Sequence, residues 1–159
     1  MRDAAAAVLA QVVHASLLQV DSTKLVASIN LAGNQLHMPG LAALLEAVAG
    51  AGLHIAHLDV ERNKLDGAAA EWLGTWCEAQ PGGPPREIYL SHNKIGTLGA
   101  YGFLVAVGRG SVVHIGTARV PCTAPLWVEV RENRIAKVEA LLDRLSATTP
   151  LCLAADRTV

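Results

Sequence analysis

The side chains best suited to catalysis or metal binding in this chain are three cysteines, Cys77, Cys122 and Cys152, and six histidines. Thiolates and imidazoles act as nucleophiles, general bases or zinc ligands when the fold brings them together. The cysteines are odd in number and widely spaced, which fits neither a disulfide framework nor a zinc site. The sequence also has no glycine-rich phosphate loop and no nucleophile elbow. We therefore expect no catalytic residue, metal or cofactor, and the cysteine usage favours an intracellular location, cytoplasmic or nuclear.

The composition excludes several other classes of protein. With 159 residues, of which 52% are hydrophobic and only 4% aromatic, the chain has the size of one globular domain with an aliphatic core. The formal net charge of −1 gives no field that would draw the chain to nucleic acid or to an anionic membrane. The longest strongly apolar stretch, residues 41–53, is too short to span a bilayer and contains Glu46. We expect no membrane association.

Asparagine recurs at a regular interval and points to hydrogen bonding rather than to catalysis. Asn34, Asn63, Asn93 and Asn133 lie 29, 30 and 40 residues apart. Each is the ninth residue of a segment with apolar residues at its fourth, sixth and eleventh positions, and these segments begin at Val26, Ile55, Pro85 and Pro125. A buried amide at this point could satisfy backbone groups where the chain leaves a strand. The sequence therefore predicts a structural row of asparagines.

The elements that position these asparagines follow from two different periods. Alternating apolar residues around the fourth to sixth positions predict a short strand in every segment. After each strand the apolar spacing changes to i, i+3, i+4 and i+7, which predicts an amphipathic helix. In the second helix this spacing includes Trp72 and Trp76, which we assign to the core. The chain therefore consists of repeated strand-helix units.

These segments match the pattern L-x-x-L-x-L-x-x-N-x-L, so that residues 25–147 resemble the leucine-rich-repeat family. The first position departs from the pattern at Pro85 and Pro125. A unit of about 29 residues resembles the long intracellular class typified by ribonuclease inhibitor. The resemblance implies an α/β solenoid, in which a right-handed βα superhelix carries a parallel sheet on its concave face and helices on its convex face. It also implies a scaffold that binds other proteins.

The two ends of the chain complete this single predicted domain. Residues 3–20 predict a capping helix, or the helix of a unit whose strand has degenerated, with Asp3 as N-cap. Its predicted core face consists of Val8, Leu9, Val12, Val13, Ser16, Leu17 and Val20. Residues 150–159 predict a truncated last strand without a covering helix. A solenoid needs a polar cap at its end. We therefore expect either a fragment of a larger protein, which we favour and which could carry a catalytic domain after Val159, or a partner that covers the strand.

The long third interval contains about ten additional residues, which we assign to an insertion at 109–124. Val113 and Ile115 alternate like a strand, whereas Ala118 stands where an asparagine would be required. Insertions in repeats map to loops and are often functional. A functional loop and a harmless excursion both remain open.

The outward positions of the strands form the predicted concave surface. The third-position column is Ser28, His57, Glu87 and Trp127, and the fifth-position column is Asn30, Asp59, Tyr89 and Glu129. The seventh-position column is Ala32, Glu61, Ser91 and Arg131, and the eighth-position column is Gly33, Arg62, His92 and Glu132. This surface is polar and aromatic, with more carboxylates than arginines. His57 and His92 differ by five positions, about 16 Å along the strand direction, too far apart to share a metal.

Tyr89 and Trp127 are the candidate anchors for a partner, because exposed aromatic side chains dominate the energetics of protein interfaces. Leu126 would extend the apolar spot, and Trp127 could instead fold against the neighbouring insertion. The complete set of predicted partner-binding residues is Asn30, His57, Asp59, Glu61, Arg62, Arg86, Glu87, Tyr89, Trp127, Glu129 and Arg131.

Three functions are compatible with this pattern. The first is a non-catalytic module that binds a protein partner through the concave surface. The second is an accessory domain of an RNA-processing or RNA-export protein, for which Arg86, Arg109, Arg119, Arg131 and Arg134 could contact phosphates. The acidic excess on the concave surface disfavours RNA. The third is self-association through the exposed C-terminal strand.

Overall fold

The structure is a computed structural model that describes residues 1–17, 26–108, 113–115, 126–148 and 154–155. Helices and strands alternate along most of the chain. In order, the elements are α1 (Asp3–Leu17), β1 (Val26–Asn30), α2 (Met38–Gly50), β2 (His54–Asp59), α3 (Gly67–Glu78), β3 (Glu87–Tyr89), α4 (Thr97–Gly108), β4 (Val113–Ile115), β5 (Leu126–Glu129), α5 (Val138–Thr148) and β6 (Ala154–Ala155).

The six strands of the described residues belong to one parallel sheet, in the order β1-β2-β3-β5-β4-β6. Helices α2 and α3 connect neighbouring strands, as parallel pairing requires. The structure therefore confirms the α/β class and the parallel sheet. Strands β1, β2, β3 and β5 lie at the starts predicted for the four strand-helix units.

The insertion contains the short strand that the alternation of Val113 and Ile115 indicates. In the sheet, however, β5 lies beside β3, and β4 lies on the far side of β5. Strand β6 pairs with β4 rather than with β5. The remainder of the predicted insertion and of the predicted last strand, including Ala118, Cys122 and Cys152, lies outside the described residues.

The core lies between the sheet and the helices and is mainly aliphatic. Leu58, Ile88 and Val128 occupy the fourth position of successive strands and are fully buried. From the helices, Leu45 and Phe103 are equally buried. Since alternate strand residues point to opposite faces, this row of apolar residues turns the third and fifth positions toward solvent.

The tryptophans of α3 confirm the predicted core positions. Trp76 is buried, and Trp72 is half-buried against the core. Their rings stack with centroids 6.5 Å apart. Both therefore stabilise the helix layer.

The predicted core face of the N-terminal helix is wrong at three of its apolar residues, whereas Val13 is half-buried against the core as predicted. Val8, Leu9 and Val12 are 62%, 41% and 58% exposed, whereas Ala6 and Ala10 are buried. Small side chains face α2 because the two helices approach very closely. The spacing of apolar residues predicted the helix. The face that packs against α2 is the one with small side chains, not the one with the most hydrophobic side chains.

The helices pack in two close pairs, α1 with α2 and α3 with α4, and more loosely between the pairs. Each close pair has a glycine at the point of contact. A Cβ atom on Gly40 would lie 2.8 Å from the Asp3 Cα, and one on Gly99 would lie 2.3 Å from the Gly67 Cα. Contact at these distances requires a residue without a side chain.

Candidate interaction surface

The asparagine row is a continuous hydrogen-bonded ladder that sets the spacing of the surface. The Oδ1 atoms of Asn63, Asn93 and Asn133 each accept a 3.0 Å hydrogen bond from a backbone N–H of the preceding unit. The donors are Leu36, Leu65 and Ile95, respectively. Each amide therefore ties two units together.

The Nδ2 atom of every interior asparagine completes this connection. Asn93 Nδ2 donates to the carbonyl oxygens of Val60 in the preceding unit and Leu90 in its own, both at 3.0 Å. Asn63 makes the equivalent bonds to Leu31 and Val60. Because Asn63 and Asn93 are only 7% and 8% exposed, no solvent could replace these partners.

The first rung of the ladder uses the N-terminal segment. Asn34 Oδ1 accepts a hydrogen bond from the Met1 amino group, and the Gln35 N–H donates to the Met1 carbonyl oxygen at 2.9 Å. Met1 thus holds the place that Leu36 holds in the next unit. Asp3 is the first residue of α1, and its carboxylate accepts from the His37 N–H at 2.8 Å. Helix α1 therefore begins two residues after Met1, as α2 begins two residues after Leu36, and both predicted interpretations of α1 stay open.

The eighth position of all four units has a left-handed backbone, with φ of +68° at Gly33, +52° at Arg62, +55° at His92 and +51° at Glu132. This turn ends each strand and directs the chain toward the asparagine. L-residues pay about 1–2 kcal/mol for such a conformation. Sequence reasoning did not predict it, since Gly33 is the single glycine in the column.

The strand register aligns the two predicted columns of the surface. His57 pairs with Ser28 and Glu87, and Glu87 pairs with Trp127. In the fifth-position column, Asp59 pairs with Asn30 and Tyr89, and Tyr89 pairs with Glu129. The side chains of Leu126 and Trp127 lie outside the described residues, so both interpretations of Trp127 stay open.

Glu87 joins the two columns at the centre of the surface. Its Oε2 atom accepts a hydrogen bond from the Tyr89 hydroxyl at 2.8 Å and lies 3.1 Å from His57 Nδ1. Tyr89 is half-buried rather than fully exposed. The phenol ring is therefore held in place by the carboxylate, with part of its surface available for contact.

The outer rows of the surface are also connected by hydrogen bonds. Asn30 Nδ2 donates to Asp59 Oδ2 at 3.0 Å. Glu129 Oε1 accepts from Arg131 Nε at 2.8 Å and from the Ser91 hydroxyl at 3.1 Å. Ser91, which the pattern placed outward, is only 2% exposed.

The remaining predicted contact residues lie at the margins of the sheet. Glu61 is half-buried, and its N–H donates to Asp59 Oδ1 at 3.1 Å. Arg62 and Arg86 are exposed. No group of three metal-binding side chains occurs in the part of the chain that the structure describes.

Cys77 is the cysteine that falls within the described residues. It lies in the core, where burial raises the pKa of its thiol from 9.0 to about 12. A thiol held in this form is a poor nucleophile and a poor metal ligand.

Comparison with protein-family models, with curated proteins and with solved structures found no match to this chain. Among the described helices, none is both long enough and apolar enough to cross a membrane.

Proposed function

We propose that this chain is a leucine-rich-repeat solenoid whose outward strand surface binds a protein partner. Support for the solenoid comes from the asparagine ladder, which joins the N-terminal segment and four successive units by the same hydrogen bonds. A repeat architecture of this kind stacks each unit on its neighbours to bury a common core. Helices on the opposite side of the sheet leave the strand surface concave in this proposal.

The observation that carries the binding function is the alignment of the two columns around Tyr89. Its register neighbours are Asp59 and Glu129, and its hydroxyl is fixed on Glu87. A partly exposed aromatic ring surrounded by hydrogen-bonding groups supplies both contact area and orientation to an interface. Because the side chains already bond to one another, little conformational entropy would be lost on binding.

In this proposal the chain itself is non-catalytic and acts inside the cell as a scaffold. Supporting reasons are the high pKa and burial of Cys77 and the cysteine count, which does not fit a disulfide framework. A basic or neutral partner surface is favoured over nucleic acid, because the carboxylates of Asp59 and Glu87 are partly exposed on the central strands.

The test replaces Tyr89 and Trp127 together by alanine and compares the proteins captured from a cell lysate with those captured by the unmodified chain. A matched control replaces Val8, which is 62% exposed on α1, by alanine. Thermal melting establishes that both variants fold, and each capture is repeated after nuclease treatment.

We expect the double variant to lose a protein that the control variant retains, whether or not nuclease is present. Capture that is unchanged in the double variant would contradict the assignment of Tyr89 and Trp127 as anchors. Capture that disappears with nuclease would instead identify an RNA-mediated association.

A further inference from the structure

A second surface feature lies on the helix side, between α4 and α5, and the proposed function does not use it. This groove has a volume of about 320 Å³, within the range of ligand-binding clefts. Its apolar lining includes Leu98, Ala140 and Leu141, and Leu98 is the most exposed large hydrophobic residue of the described chain at 72%.

The groove exists because α5 does not repeat the contact that α4 makes with α3. In α2 and α4, which each belong to a close helix pair, the residue six positions after the ladder asparagine is a glycine, Gly40 or Gly99. In α5 the equivalent residue is Glu139. Phe103, whose backbone packs on Gly74, is likewise replaced at the equivalent position by Asp143. Both carboxylates are exposed and neither lines the groove. The helices consequently pack loosely and leave their apolar sides partly uncovered.

Charge distinguishes this groove from an ordinary packing defect. Its lining contains two cationic residues, Lys137 and Arg144, whereas the carboxylate of Glu139 lines an adjoining cleft that shares Lys137. Arg144 lies over the Tyr101 ring, with its guanidinium carbon 4.2 Å from the ring centroid. Seven residues separate Lys137 from Arg144 in sequence, which corresponds to roughly 10 Å along a helix.

From this arrangement we infer that the α4/α5 groove binds an acidic amphipathic helix of another protein. Two carboxylates seven residues apart on such a helix would match the spacing of Lys137 and Arg144. Leucines at the intervening third and fourth positions would contact Leu98 and Leu141. This is the helix-in-groove mode of recognition, with apolar anchors providing affinity and the charges selecting the partner.

The test uses a rhodamine-labelled, alanine-based helical peptide of about 18 residues, long enough to form a helix. Two glutamates seven residues apart flank two leucines in this peptide. Fluorescence anisotropy measures its binding to the full chain, and the variants are Lys137→Glu, Arg144→Glu and Leu98→Ala. The matched control is Arg86→Glu, an equivalent charge reversal on the strand surface.

We expect saturable binding that each charge reversal weakens by about five-fold, whereas Arg86→Glu leaves it unchanged. A peptide with lysines in place of the glutamates should bind the Lys137→Glu/Arg144→Glu chain better than it binds the unmodified chain. Leu98→Ala, an exposed substitution that does not threaten folding, should also weaken binding.

Three results would overturn this inference. One is the absence of saturable binding to the folded chain, and another is equal weakening by Arg86→Glu. The third is a concentration-dependent doubling of mass that Leu98→Ala abolishes, since the groove would then be an interface between two copies of the chain. None of these results tests the strand-surface proposal, because its variants change Tyr89 and Trp127.

Discussion

The backbone N–H of Leu65 donates a 3.0 Å hydrogen bond to the side-chain oxygen of Asn93, in the next unit. Leu65 is 1% exposed and Asn93 is 8% exposed, so water cannot substitute for either group. The same bond recurs between Leu36 and Asn63 and between Ile95 and Asn133. Stacking of the units, and with it the alignment of the strand surface, depends on these amides.

Replacing Asn93 by leucine should destabilise the fold by about 2 kcal/mol, because it leaves the Leu65 N–H buried without its acceptor. The Val60 and Leu90 carbonyl oxygens lose one donor each but keep Asn63 and Asn133, respectively. Asn34→Leu, at the half-buried end of the ladder, should cost less. Urea denaturation of both variants measures the difference. Equal losses for the two variants would argue against the ladder as the origin of the effect.

Replacement by alanine should have different effects on stability at two glycines of α4. At Gly99 a Cβ atom would meet the Gly67 backbone at 2.3 Å, so Gly99→Ala should lower the free energy of unfolding by about 2 kcal/mol. At Gly102 the nearest atom is the Glu71 Cγ at 2.8 Å, on a side chain that can move. Gly102→Ala should therefore leave stability unchanged or raise it by up to about 1 kcal/mol, through helix propensity. Thermal melting of the pair distinguishes the close helix contact from propensity alone.

The left-handed turn should make Gly33 sensitive to substitution even though no atom lies within 4 Å of its Cβ position. We expect Gly33→Ala to lower the free energy of unfolding by about 1 kcal/mol, the cost of a φ of +68° for an L-residue. Gly50→Ala is the control, since its Cβ would be in ordinary contact at 3.5 Å, within helix α2. A neutral Gly33→Ala in chemical denaturation would show that the turn relaxes.

Cys77 should be unreactive toward iodoacetamide at pH 8 in the folded chain and reactive in denaturant. A Cys122→Ser/Cys152→Ser background isolates its signal in mass spectrometry. Since burial raises the thiol pKa from 9.0 to about 12, only the unfolded chain loses this proton as the pH rises above 9.0. Stability should therefore fall between pH 9.0 and about pH 12, and Cys77→Ala should reduce this dependence. Rapid labelling of the folded chain would contradict the buried position.

Most of the architecture was predictable because it depends on short-range periodicity. The alternation around Leu58 and Ile88, the spacing of the asparagines and the helical period after each strand are all local signals. They identified the α/β class, the columns of the surface and the assignment of Trp76 to the core.

The remaining features depend on distant contacts. Whether Val8 or Ala6 faces the core depends on how closely α2 approaches α1, which no local pattern records. The order of β4 and β5 in the sheet likewise depends on which of these two strands pairs with β3. The partner of the buried Ser91 hydroxyl is Glu129, 38 residues away in sequence.

The central claim, that the strand surface binds a protein partner, is tested most directly by photo-crosslinking in cells. A benzophenone amino acid is placed at Ser28 or Tyr89 on the strand surface, or at the exposed Glu46 on α2 as a control. We expect the same protein adduct from both strand positions and none from Glu46. Adducts from Glu46 alone, or no adduct from either strand position, would contradict the account.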